Sequence, residues 1–211
     1  MSLHRSETFP DWEKVLPQER NVWQKVAAKT GGIVTPGNFI SVAGGVFVAA
    51  GLRDIKKNRK VAGTIKIGVG RIFDLVDGTV ADMTKTKSPT GEIVDTGIDK
   101  AATFAGLFAL PAKDILPADQ AITIGVQNLA NTVFSGVAKS RGVEIHPTRT
   151  GKDAMMAQWV STGLHCISAA AQEAGAEKTA NVANFGANGC FEAYACLGMH
   201  ATRQYASQAL S

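Results

Sequence analysis

An all-α polytopic membrane protein is the fold class the sequence predicts: a six-transmembrane-helix bundle with an N-terminal amphipathic interfacial segment. Three observations lead there. Gly31 to Leu52, Gln120 to Ala138 and Ala154 to Gln172 carry no Asp, Glu, Lys or Arg, and each is close to the roughly 20 residues that a bilayer crossing needs. All three are rich in Gly, Ala, Ser and Thr, which let helices pack closely inside a membrane and keep hydropathy low. Charged or Pro-bearing turns separate these stretches from the other apolar runs. The mean hydropathy of +0.03 is that of an ordinary soluble chain, so the distribution of apolar residues carries the prediction, not their amount.

Residues 1–29 mix Phe9, Trp12, Leu16, Val22, Trp23 and Val26 with many charges, a pattern of one or two amphipathic helices that either anchor their aromatic residues at a membrane interface or simply cap the domain. Residues 30–211 are expected to form one transmembrane domain, since no internal repeat, low-complexity run or linker divides them. The first span starts near Thr35-Pro36-Gly37-Asn38. Arg53 to Lys60 is a basic turn into a second span, about Val61 to Val80, which holds Lys66 and Arg71. Intramembrane cations face polar cavities, so Arg71 is expected to help neutralise nearby carboxylates.

Asp95 and Asp99 open the third span, whose apolar part runs from Ala101 to about Ala112, with an outer turn from Pro111 to Asp119. The fourth span ends at Lys139-Ser140-Arg141, and the turn through His146, Pro147, Arg149 and Lys152 is basic. Met155 to Ala171 is the fifth span and about Ala180 to Thr202 the sixth, with Arg203 just past it. Positive-inside bias at the Lys139–Lys152 turn places that side, and the acidic residues with it, in the cytoplasm. The Arg53–Lys60 turn falls on the opposite side, against the bias.

The chain has 211 residues and a net charge of +4, enough for one domain with a sizeable core. Its basic excess is local and has no aromatic residues interleaved, which fits anionic lipid headgroups and excludes a nucleic-acid partner. Cys166, Cys190 and Cys196 lie in apolar segments without zinc-ligand spacing, so they read as small buried hydrophobes. The polar N-terminus has no signal-peptide pattern.

The chemistry concentrates between Asp74 and Asp99. Asp74 and Asp77 are three residues apart, and Asp95 and Asp99 four apart, so each pair projects from one face of a helix. Ser88-Pro89-Thr90-Gly91 breaks the two helices apart. Folding them back on each other aims four carboxylates at one point, where bare like charges repel. A hard divalent cation, or two, resolves that repulsion, and Mg²⁺ or Mn²⁺ suits an all-carboxylate set that completes its coordination with water and phosphate oxygens. Gly78 and Ala81 leave the backbone open to a bulky ligand, such as a nucleotide diphosphate over the metals.

The order Asp74-x-x-Asp77-Gly78-x-x-Ala81, eight residues after Asp82, then Gly91-x-x-x-Asp95-x-x-x-Asp99, resembles the signature of the CDP-alcohol phosphotransferases, integral membrane enzymes of phospholipid synthesis. The resemblance implies Asp74, Asp77, Asp95 and Asp99 as metal ligands and Asp99 also as the base that deprotonates the acceptor alcohol. It implies Asn38, Ser41, Gly78, Ala81, Asp82, Ser88 and Gly91 around CDP-diacylglycerol, and a homodimer. The family pattern has Arg, helping to hold the CDP phosphates, where this chain has Asp82; Lys85 and Lys87 are nearby cations that could take its place. Lys139, Arg141, Arg149, Lys152 and Arg203 are candidates for binding a phosphorylated acceptor. The turn Pro147-Thr148-Arg149-Thr150-Gly151-Lys152 is similar to one in phosphatidylglycerophosphate synthases, which favours glycerol 3-phosphate over inositol phosphate. Two rivals stand beside this reading. One is a soluble phosphatase of the haloacid dehalogenase type, which needs a strand before Asp77-Gly78-Thr79; the other is a non-catalytic membrane protein that keeps the fold.

Overall fold

A computed structural model describes residues 10–143 and 148–210, leaving out the side chain of Lys139. Phe9, His146 and Pro147, singled out above, lie outside the described residues. Within them the chain is helical without a strand, which removes the phosphatase rival. A 3-10 turn at Asp11–Lys14 is followed by α1 (Val22–Lys29), α2 (Pro36–Lys56), α3 (Lys60–Thr84), α4 (Pro89–Ala109), a second 3-10 turn (Pro111–Lys113), α5 (Ala118–Ser140), α6 (Arg149–Glu173) and α7 (Glu177–Leu210).

Helices α2 to α7 thus stand where the six spans were expected. They are 21 to 34 residues long, and the last outruns its predicted end at Thr202 by two turns. Of the described helices, α2 alone is apolar enough along its length to cross a bilayer on hydropathy, at a mean of 1.3. The other five have the length but carry more polar residues.

The chain packs as two compact units, Met1–Arg53 with Ile65–Ala105, and Asp54–Thr64 with Gly106–Ser211. In the first, α2 and α3 cross where Gly44 faces Gly70. A Cβ on Gly70 would stand 2.6 Å from the Gly44 carbonyl oxygen, so the missing side chains set how closely the backbones approach. One turn away the Phe47 and Phe73 rings meet edge to face at 5.5 Å. Ile98 of α4 packs on Gly45 in the same way, its Cγ2 2.7 Å from where a Cβ would be.

Trp12 was expected either to anchor at a membrane surface or to cap the domain, and it does not lie free as an anchor would. It is 4% exposed, packed with Ser88 over Gly32, where any side chain would collide with both. Gly32 has φ 84°, so this tight turn after α1 favours glycine on both counts.

The second unit is held by polar side chains. Gln120 of α5 donates to Asn188 of α7 at 2.8 Å, and its carbonyl oxygen lies 3.0 Å from Nε2 of the buried His165 of α6. Ser161 and Ser168 donate from α6 to the Ala187 and Ala180 carbonyls, and Thr202 to Asn131, each at 2.8 Å. Ala180, Ala183 and Ala187 are buried along α7, and such small residues let the two backbones come near enough for serine hydroxyls to span the gap. Buried polar groups need such partners. Cys166 is buried among them, whereas Cys196 is exposed, so the expectation of a buried thiol holds for the former and not for the latter.

Gly70→Ala is expected to destabilise the protein by roughly 1–3 kcal/mol through overpacking. Gly68→Ala, where a Cβ meets nothing within 4 Å, is expected to be neutral or to gain up to about 1 kcal/mol from helix propensity. Thermal unfolding of the two purified variants against the parent measures this, and equal effects would show that the crossing is not close-packed.

Candidate metal centre

Local sequence rules place the walls of the site. Thr35 caps α2 by accepting the Asn38 N–H at 3.1 Å, with Pro36 at the first helical position, where its missing N–H costs nothing. The Asn38 amide then donates back to the Gly32 and Ile33 carbonyls at 3.0 and 2.9 Å, fixing the turn into the helix. Gly37 faces α3, where a Cβ would lie 3.2 Å from the Asp77 carbonyl oxygen. One turn on, the Ser41 hydroxyl donates to Oδ2 of Asp77 at 2.5 Å.

The break between α3 and α4 comes three residues earlier than expected. It spans Lys85 to Ser88, and Pro89, Thr90 and Gly91 form the first turn of α4. Lys85 takes a left-handed φ of 51° to end α3. Ser88 caps α4 by accepting the Gly91 N–H at 3.0 Å, and proline is well tolerated directly after such a cap. Starting α4 six residues before Asp95 brings that carboxylate round to face α3.

Oxygens of Asp74, Asp77 and Asp95 lie within 4.8 Å of one another, with Asp77 buried and the other two half-buried. Asp99 is not in that group. Its Oδ1 accepts from Nη1 of Arg71 at 2.7 Å, and the same nitrogen lies 3.7 Å from Oδ2 of Asp74. Arg71 therefore sits among the carboxylates, as its place in the second span suggested.

One observation tests whether a cation fits. Oδ1 of Asp95 is buried and accepts no hydrogen bond, and a buried oxyanion without a donor is costly. A hard divalent ion satisfies it, and an all-oxygen donor set is that of Mg²⁺ or Mn²⁺. Asp74, Asp77 and Asp95 are the residues that could hold one.

A cavity of about 500 Å³ opens beside these groups, with Asp77 and Asp95 in its wall. Asn38, Ser41, Gly78, Ala81, Ser88 and Gly91, expected around a nucleotide, all line it. Asp82 does not. It is 61% exposed and pairs with Lys87 at 2.8 Å, because position 82, five residues beyond Asp77 on α3, lies on a different side of that helix. Lys87 does line the cavity, unlike Lys85, and so do Asp11 and Lys14. Sequence reading missed those two, since nothing local distinguishes a lysine on a cavity rim from one on a solvated face.

The expected acceptor-binding residues lie in the second unit. Arg141 donates to the Ala209 carbonyl at 3.1 Å, bringing the end of α5 to the end of α7. Tyr205 of α7 abuts Gly151 at the start of α6, its hydroxyl 2.5 Å from where a Cβ would be. Arg141, Arg149, Lys152 and Arg203, all exposed, thus gather at one end of that unit. Lys139 is outside the described side chains.

A family model described as CDP-alcohol phosphatidyltransferase matches residues 33–187. No curated protein and no solved structure matches the chain.

If the three aspartates hold a cation, Mn²⁺ or Mg²⁺ at about 100 times its Kd should stabilise the parent protein by about 2.7 kcal/mol and leave Asp77→Asn and Asp95→Asn nearly unmoved. Without metal, Asp95→Asn is expected to match or exceed the parent's stability, since it removes an unpartnered buried charge. Thermal unfolding with and without EDTA reads both effects.

Proposed function

Because the chain belongs to the CDP-alcohol phosphatidyltransferase family, we propose that it transfers a phosphatidyl group from CDP-diacylglycerol to glycerol 3-phosphate, releasing CMP. Enzymes of this family move a substituted phosphate group from a CDP-alcohol to an alcohol acceptor. The three clustered carboxylates beside a cavity of nucleotide size carry the reading for this chain.

Asp74, Asp77 and Asp95 hold Mg²⁺ or Mn²⁺, a pair of ions in the full site. When bound, the metal neutralises phosphate oxygens and the charge that builds on the leaving group. Gly78, Ala81 and Gly91 leave room for the nucleotide against the backbone, and Asn38, Ser41 and Ser88 fix the walls around it. Ser41 also orients Asp77 through their hydrogen bond. Asp99 accepts the proton of the acceptor hydroxyl, and Arg71 holds its carboxylate in place. The alcohol oxygen forms a bond to the lipid-bearing phosphorus in line with the departing CMP oxygen, whose bond to that phosphorus breaks. Arg141, Arg149, Lys152 and Arg203, with Lys139, are the cations proposed for an acceptor phosphate, which favours glycerol 3-phosphate or inositol phosphate over an uncharged alcohol.

We place the protein in the cell membrane, crossing it six times as a homodimer with the aspartates toward the cytoplasm. Members of the family are integral membrane proteins, and the surface supports that location. Ile122, Val126, Leu129 and Val133 form an outward stripe along α5, 52–65% exposed, while Gln120, Asn128 and Asn131 of the same helix bond to other helices. Apolar residues outside and polar residues inside suit a lipid surrounding. Phe39 and Val46 of α2, Ile72 and Leu75 of α3 and Phe108 of α4 are exposed as well, as suits lipid-facing helices.

CMP release from CDP-diacylglycerol in detergent with Mg²⁺ or Mn²⁺, assayed against glycerol 3-phosphate, inositol phosphate and unphosphorylated alcohols, tests the activity and ranks the acceptors. No release with any of them would favour the non-catalytic reading that Asp82 raises. Asp99→Asn is expected to lower transfer by about 10²-fold or more while metal-dependent CDP binding persists. Equal loss of both would remove the base assignment.

A further inference from the structure

The cavity beside the aspartates is walled partly by the N-terminal segment. The Asp11 N–H donates to the Lys87 carbonyl at 3.0 Å. Asn21 and Gln24, which cap α1 reciprocally, reach the Thr84 and Lys85 carbonyls with their amides at 3.4 Å. Trp12, between these contacts, is buried. The segment from Asp11 to Gln24 is therefore latched along the turn that joins α3 to α4, and the latch brings Lys14 and Lys87 to the same cavity.

Charge makes that placement informative. Asp11, Asp77, Glu92 and Asp95 are the acidic residues of the cavity lining, and among the described residues Lys14 and Lys87 are its only cations. Arg71 is not part of it. Each lysine has a carboxylate at hand, Asp11 for Lys14 at 3.1 Å and Asp82 for Lys87 at 2.8 Å. Ion pairs this exposed add little to stability, so their geometry is free to serve a ligand.

We propose that Lys14 and Lys87 bind the diphosphate of the cytidine nucleotide, and that the N-terminal segment is thereby part of the donor site. The inference rests on the CDP-lipid donor proposed above. A nucleoside diphosphate brings more negative charge than its metal-contacting oxygens alone present, and ammonium groups on the rim meet the remainder as point charges. Asp82 then stands next to a phosphate-binding lysine, in a chain that lacks the family's arginine at that position. The part of the N-terminal segment from Asp11 to Gln24 thereby acquires a role in recognition.

Isothermal titration of CDP into the full chain in detergent, with Mg²⁺, tests this. Lys14→Ala and Lys87→Ala are each expected to weaken CDP binding by about tenfold, the loss of one charge-assisted contact, and Lys87→Arg to keep most of the affinity. Raising ionic strength is expected to weaken the parent more than the double alanine variant. CDP affinity unchanged in both alanine variants would overturn the inference while leaving the donor assignment standing. No CDP binding by the parent would overturn both.

Discussion

Crowding of carboxylates is the constraint around which the first unit is built. Asp74, Asp77 and Asp95 have oxygens within 4.8 Å of one another, and at that range their repulsion opposes folding unless something compensates it. The fold supplies part of the compensation from three directions: a hydroxyl from α2 on Asp77, a guanidinium from α3 near Asp74 and Asp99, and the Gly78 N–H, 2.5 Å from Oδ1 of Asp77. What it leaves unanswered is Oδ1 of Asp95. A cation from outside the chain could satisfy that oxyanion.

Glycine makes that crowding geometrically accessible. Gly44 and Gly70 let α2 and α3 touch backbone to backbone, Gly45 admits Ile98 of α4, and Gly37 brings the start of α2 against Asp77. These contacts seat α2 against both helices that carry the clustered aspartates, and small residues permit such close seating. The cap at Ser88 matters for a related reason. It starts α4 early enough to turn Asp95 toward α3, whereas Asp99, one turn further on, lies by Arg71.

The second unit solves a different problem with different means. Its three long helices carry glutamine, asparagine, serine and histidine toward one another and isoleucine, valine and leucine away. Interhelical hydrogen bonds thus act beside the buried apolar residues of that unit, Leu116, Ile124 and Tyr194 among them. That arrangement contributes to the near-zero mean hydropathy, since polar residues spent inside the helix packing lower the average.

Much of this was legible in the order of residues. Three uncharged runs and the charged or proline-bearing turns around the other apolar stretches marked six helices in their places, and aspartates three and four apart, with small residues beside them, marked the candidate metal centre, because both patterns depend on the helical repeat. Other features came from contacts between segments distant in the chain. The burial of Trp12 and the separation of Asp99 from the three clustered aspartates are of this kind, and so is the arrival of Lys14 beside a cavity made by residues more than twenty positions away. Asp82 pairs with Lys87 only because of how the chain leaves α3. Local periodicity fixes which side of its own helix a residue occupies, but only packing decides what that side meets, and for these four residues the meeting is what determines the chemistry open to them.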